Sequence, residues 1–173
     1  MKNIFLIGFM GSGKTTIGKK LAKRLNLTFI DMDQYIEEKE KLSISDMFAK
    51  NGEEYFREIE HNVLVELLSM DGVLVSTGGG APCFHQNILL INQQAYSIYL
   101  KLDPEILVGR LKNATADRPL LANLSNEELR LQISEKLASR SPFYEQAKLV
   151  FSSLGSVNRD VSELERLLTG NRH

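Results

Sequence analysis

The sequence has one cysteine, Cys83, so no intrachain disulfide can form, and a single thiol fits a reducing compartment. It has no long apolar run. Met1-Lys2-Asn3 leads into Ile4-Phe5-Leu6-Ile7, far short of a signal-peptide core or of the ~18–20 residues of a membrane span. Neither sign of charge is in excess: 21 Lys plus Arg stand against 22 Asp plus Glu, a net −1. A nucleic-acid backbone or an anionic membrane is therefore not an expected partner, and any anion must be held by local charge. Internal repeats, low-complexity tracts and linkers are missing too. At 173 residues, 43% hydrophobic and 25% charged, the chain reads as one soluble domain over 1–173 with room for a core that needs no covalent staples. A cytoplasmic monomer is expected.

What is present is a regular alternation. Residues 4–7, closed by Gly8, form a continuous apolar run of the kind buried on both faces in parallel sheets. Residues 15–25 then place Ile17, Leu21, Ala22 and Leu25 on one face, which is helical spacing. A second strand is predicted over 27–30, ending at Asp31. Charge-rich helical segments follow at 34–41, 45–50 with Ser43 or Ser45 as cap, and 53–70, punctuated by Gly52 and Gly72. Further strands are predicted at 73–76, 95–100 and 149–151, with helical patterns at 104–111, 126–140 and 161–168. Strands alternating with helices mean a parallel α/β sheet with crossovers on both faces. The polar stretch 112–125, which contains Pro119 and has no clear period, reads as a surface loop long enough to move.

Gly8-Phe9-Met10-Gly11-Ser12-Gly13-Lys14-Thr15 matches G-x-x-x-x-G-K-[ST] in full, between a buried strand and a helix. That context separates a phosphate loop from a glycine-rich turn with an incidental lysine. Backbone N–H groups around Gly11, Ser12, Gly13 and the helix start through Thr16 would wrap the phosphates of ATP, and Lys14 would reach the β and γ groups. The Thr15 hydroxyl would bind Mg2+. The third strand ends without an acid, so Asp31 is the nearest carboxylate for the metal. Asp33 suits an acceptor-orienting or general-base role, or alternatively caps a helix. Gly78-Gly79-Gly80 is either a platform where backbone amides approach a ligand or a flexible turn. Arg57, with Glu60 three residues on, and Arg140 are surface residues unless something brings them together. Arg118, in the polar loop, is placed to close over a transferring phosphoryl group. Residues 37–41 read as a solvated helix face, and His61, His85 and His173 have no metal-ligand spacing with Cys83.

The phosphate loop, Asp31-x-Asp33, Phe56-Arg57-x-x-Glu60, Gly78-Gly79-Gly80, Arg118-Pro119-Leu120 and Arg140-x-x-x-Tyr144 resemble the shikimate kinase family in kind and in order, over nearly the whole chain. The resemblance implies transfer of the ATP γ-phosphoryl to the 3-hydroxyl of shikimate, on the route to chorismate and aromatic amino acids. It also implies a nucleoside-monophosphate-kinase fold: a five-stranded parallel sheet in the order 2-3-1-4-5, substrate-binding helices over about 33–61 and a mobile lid over about 112–125. By the same resemblance Asp33 sits at the acceptor hydroxyls and Arg57, Gly78, Gly79, Gly80 and Arg140 line the shikimate site, the two arginines on its carboxylate. Arg118 is the lid arginine, Arg110 lies near adenine, Lys14, Thr15 and Asp31 serve phosphate and Mg2+, and Phe48 and Phe56 form an apolar wall. Lys14, Asp33 and Arg118 are the implied catalytic set. The stretch 153–160, after the last strand, carries the least specific match. On the residues alone, a kinase for gluconate or a nucleoside monophosphate stays open. A GTPase-like switch fits less well, because no Asn-Lys-x-Asp guanine motif occurs.

Overall fold

The computed structural model describes residues 2–113 and 124–170. Strand β1 (Ile4–Ile7) is buried along its whole length because successive side chains of a strand point to opposite faces and both faces are covered. Phe5 and Ile7 enter one core; Ile4 and Leu6 enter the other. With β2 (Thr28–Asp31), β3 (Val73–Ser76), β4 (Tyr96–Lys101) and β5 (Leu149–Ser152) it forms a five-stranded sheet, ordered β2-β3-β1-β4-β5, with every pairing parallel.

Helix α1 (Lys14–Leu25) carries the chain from β1 to β2 over one face. Helices α2 (Met32–Glu40), α3 (Ile44–Leu68), α4 (Asn87–Gln94), α5 (Pro104–Asn113) and α6 (Asn126–Tyr144) bring it back across the other, and α7 (Val157–Gly170) closes beside α1. The path across the sheet therefore reverses next to β1, where open α/β sheets bind ligands beyond the strand ends. Register puts those ends level: Leu6 pairs with Ser76, and Ser76 with Asp31. The loops after β1, β2 and β3 leave from one edge.

Several boundaries differ from the sequence expectation for local reasons. Gly52, by contrast, falls where expected: at φ 83° and ψ 173° it leaves helical geometry and divides α3 into two helical stretches across a kink. Helix α4 shows little helical period, because Ile88 to Ile91 is an unbroken apolar run of which Ile88 and Ile91 are buried while Leu89 is 47% exposed. Helix α6 runs past Arg140 through Pro142, which removes one helical N–H but leaves Glu145 N–H bonded to the Ser141 carbonyl. Lys112 and Asn113 belong to α5, and Ser125 caps α6 in a reciprocal box with Glu128, so the loop is shorter than 112–125 at both ends. Arg118 lies outside the described residues.

The loop between β5 and α7 is tied by one buried acid. Asp160, 2% exposed, accepts hydrogen bonds from the Ser153 hydroxyl at 2.6 Å and the Leu154 N–H at 3.3 Å. Asp160→Ala orphans both donors, at a cost of about 1–3 kcal/mol. For a chain of this length that corresponds to a fall in Tm of roughly 2–10 °C in thermal denaturation. An unchanged Tm would show that the loop is held by other means.

Candidate active site

Helix α1 starts directly out of the phosphate loop. Gly13 stands at φ +93°, a left-handed conformation that a side chain resists, and no side chain caps the helix. Its first N–H groups are thus left to an incoming anion. Lys14 Nζ donates to the carbonyls of Gly8 at 2.8 Å and Phe9 at 3.0 Å. Among the described residues Ser12 Oγ is the buried side-chain polar atom that has no hydrogen-bond partner.

Asp31 links this loop to α2. Its Oδ2 accepts the Thr15 hydroxyl at 2.9 Å, and its Oδ1 accepts the N–H groups of Asp33 at 3.1 Å and Gln34 at 3.2 Å. Asp31 is therefore the cap of α2, and the alternative that Asp33 does this job is excluded. Asp33 sits in the first turn with its carboxyl turned to the cleft. Burial, and next the charge of Asp31, push its pKa above the ordinary carboxylate value, with Lys14 opposing. Lys14, Thr15, Asp31, Asp33, Thr77 and Gly79 line one cleft of about 270 Å3.

The turn at Gly78-Gly79-Gly80 closes one side of that cleft and has no Cβ atoms. A Cβ on Gly78 would lie 2.7 Å from Asp33 Oδ1, one on Gly79 would lie 3.1 Å from the Arg140 guanidinium, and one on Gly80 would lie 2.6 Å from both terminal nitrogens of Arg57. Three helices, α2, α6 and α3, each deliver one charged side chain to three consecutive residues. Arg57 is buried. It donates to Glu60 at 2.7 Å and to Glu53 at 3.2 and 3.4 Å, and its guanidinium stacks 4.1 Å from the Phe84 ring centroid. Glu60, 1% exposed, has its pKa raised by burial, with Arg57 pulling the other way. These bonds use three of the five guanidinium N–H groups, so one on each terminal nitrogen is left over. Arg140 lies over the Phe9 ring and, among the described residues, makes no ion pair.

Larger hollows of about 470 Å3 beside α5 and α6 and about 700 Å3 along β5 and α7 contain none of Lys14, Asp31 and Asp33. Chemistry rather than volume locates the site. A family model described as Shikimate kinase matches residues 10–168. This chain belongs to the shikimate kinase family. It is 49% identical over 153 residues to the shikimate kinase of Parabacteroides distasonis, 88% of each chain. It superposes with TM-score 0.92 at 41% identity on the solved structure of the Bacteroides thetaiotaomicron shikimate kinase, covering 96% of this chain and 98% of that one. The Acinetobacter baumannii shikimate kinase in complex with shikimate gives TM-score 0.88 at 34% identity, with 99% and 95% covered.

Within this shikimate kinase fold, most of the residues singled out from sequence are brought together. Phe48 and Phe56 pack with ring centroids 4.8 Å apart, beside Arg57. Arg110 donates to the carbonyls of Gly11 at 3.0 Å and Gly155 at 3.1 Å, clamping the phosphate loop to the loop after β5. The glycine turn differs in role from the expectation of a bare amide platform: its missing side chains make room for protein side chains as well. Sequence reasoning missed Phe84, the face on which Arg57 stacks, and Asn87, whose buried amide donates through Nδ2 to the Ala81 carbonyl and accepts through Oδ1 from His61 Nδ1. Neither lies in a motif that would have marked it.

Because its pKa is raised, folded Asp33 holds its proton more tightly than the unfolded chain does. Its ionisation therefore costs stability as pH climbs from about 3.8 through the raised value, and the full cost stands above it. Asp33→Asn is expected to raise Tm increasingly as pH climbs through that window, with the gain vanishing below it, while kcat falls by ~10²–10⁴. A lower Tm at pH 7 with kcat preserved would make Asp33 a structural residue.

Proposed function

We propose that this chain transfers the γ-phosphoryl of ATP to the 3-hydroxyl of shikimate in the cleft at the ends of β1, β2 and β3, with Mg2+ as the phosphate counterion. Family membership supports the reaction. The assignment of residues rests on one observation: Asp33, Arg57 and Arg140 converge on three consecutive glycines beside the phosphate loop.

The acceptor oxygen bonds to the γ-phosphorus while the bond from that phosphorus to the β,γ-bridging oxygen breaks, ADP leaves, and the hydroxyl proton passes to Asp33. The raised pKa of Asp33 makes it a stronger base than a solvated carboxylate. Arg140, without a protein counterion among the described residues, supplies most of the attraction for the substrate carboxylate. Arg57 adds its two remaining N–H groups from a position fixed by Glu60 and Phe84. Gly78, Gly79 and Gly80 leave the substrate room beside these groups. The N–H groups of Gly11, Ser12, Gly13 and Thr16 and the Lys14 ammonium bind the phosphates, and Arg110 steadies the loop against the adenine side. Thr15 and Asp31, already joined by a hydrogen bond, present the hard oxygen donors that Mg2+ prefers and would hold it together with water and phosphate. Bound there, the ion neutralises charge on the phosphate oxygens. Arg118 is assigned to the transferring group as the lid arginine. The enzyme is taken to be a cytoplasmic monomer, in keeping with the lack of any helix long and apolar enough to cross a membrane among the described residues.

ADP release from Mg-ATP should be stimulated by shikimate and not by gluconate or AMP; stimulation by either of those instead would overturn the substrate assignment. Replacing the shikimate carboxylate with its methyl ester should lower kcat/KM at least ten- to a hundredfold, because charge-assisted hydrogen bonds contribute ~1.5–3 kcal/mol each. That penalty should shrink in Arg140→Ala. Arg140 is the cleaner test of the pair, since Arg57→Ala also strands the buried Glu60 charge at a cost of about 3–5 kcal/mol. A penalty of wild-type size in Arg140→Ala would remove that arginine from the carboxylate. Arg118→Ala should lower kcat and leave the ATP KM nearly unchanged; a raised ATP KM at normal kcat would make it a ground-state contact.

A further inference from the structure

We infer that Tyr144 is a positioning residue of the shikimate site: its phenol holds the Gly79 carbonyl of the glycine turn to α6 and so sets the surface against which the Arg140 guanidinium stands. Given the reading above on which this rests, with Arg140 on the substrate carboxylate, the position of one guanidinium decides how well the substrate is held. Tyr144 follows Arg140 by four residues on α6, so the two side chains leave the same face of the helix. Its ring is fully buried against Tyr99 of β4, with centroids 5.1 Å apart. The hydroxyl donates to the Gly79 carbonyl. Burial pushes the Tyr144 pKa well above its ordinary value, which keeps that proton in place.

The other carbonyls of the turn are satisfied elsewhere. Gly78 and Gly80 accept from the N–H groups of Ala81 and Cys83, and Ala81 accepts from Asn87. Of these four, the Gly79 carbonyl alone is held from α6, the helix that carries Arg140. Arg140 in turn lies 3.1 Å from the place where a Gly79 Cβ would be, so turn and arginine have no slack between them. Losing the phenol oxygen leaves the ring stack in place and frees the turn on which Arg140 rests.

The test compares wild type, Tyr144→Phe, Arg140→Ala, the double variant and Tyr99→Phe, with KM for shikimate and for ATP, kcat and Tm measured on each. Tyr144→Phe should raise the shikimate KM about three- to tenfold, the size expected for the loss of one hydrogen bond, and leave the ATP KM within about twofold. In the Arg140→Ala background the same change should have less than about a twofold effect. Tyr99→Phe, which removes a hydroxyl from the same ring stack, should leave the shikimate KM unchanged. The preference of Tyr144→Phe for shikimate over its methyl ester should also fall, and that ratio of kcat/KM values does not depend on how much of the protein is folded. A lower Tm with unchanged shikimate KM and unchanged ester preference, or KM values for shikimate and ATP that rise together, would overturn the proposal. If Arg140→Ala acts on the shikimate KM and Tyr144→Phe does not, the proposal alone fails; if Arg140→Ala has no effect, the carboxylate assignment fails and this inference with it.

Discussion

Asp33, Arg57 and Arg140 come from three different helices and meet over a turn that has no side chains of its own. Any Cβ at Gly78 or Gly80 would lie within 2.7 Å of one of these groups, closer than packed atoms tolerate. The chemistry of the cleft thus depends on excluded volume before it depends on charge. The level ends of β1, β2 and β3 bring the turn beside the phosphate loop, and the kinked α3 and the long α6 bring in the arginines.

Once the groups are that close, their charges must be balanced locally, because the chain as a whole is nearly neutral. Arg57 is matched by Glu60 and Glu53, whereas Arg140 makes no ion pair among the described residues. Asp31 takes over the helix cap and the Thr15 hydroxyl, which leaves Asp33 without a structural task and in a place where burial disfavours its charge. A carboxylate that is uncomfortable in the resting protein is a readier proton acceptor, and stability is the quantity that offsets it. The two aspartates two residues apart thus stand in different surroundings, Asp31 bonded into the helix cap and Asp33 facing the cleft.

Much of this was legible in the linear sequence where the chemistry is local. The phosphate loop declares itself because eight adjacent positions must share one backbone path, and β1 declares itself because a strand covered on both faces has to be apolar throughout. The pairing of Arg57 with Glu60 was legible for the same reason, being one helical turn apart. Helix α4 was obscured by an unbroken apolar run, and the end of α6 by a proline that the helix tolerates. That Asp31 rather than Asp33 caps α2 was not legible, since the two are alike in sequence and differ in their distance to the Asp33 and Gln34 N–H groups.

By itself the sequence determined the strand-helix alternation, the phosphate loop and the set of residue types that the family shares, all of them properties of segments a few residues long. The tertiary structure decided that Gly78, Gly79 and Gly80 accommodate three charged groups, that Phe84 backs Arg57, and that the Tyr144 hydroxyl reaches the Gly79 carbonyl 65 residues away. Those contacts join positions far apart in the chain, and no local periodicity encodes a distance that exists only after the sheet has brought its strand ends together.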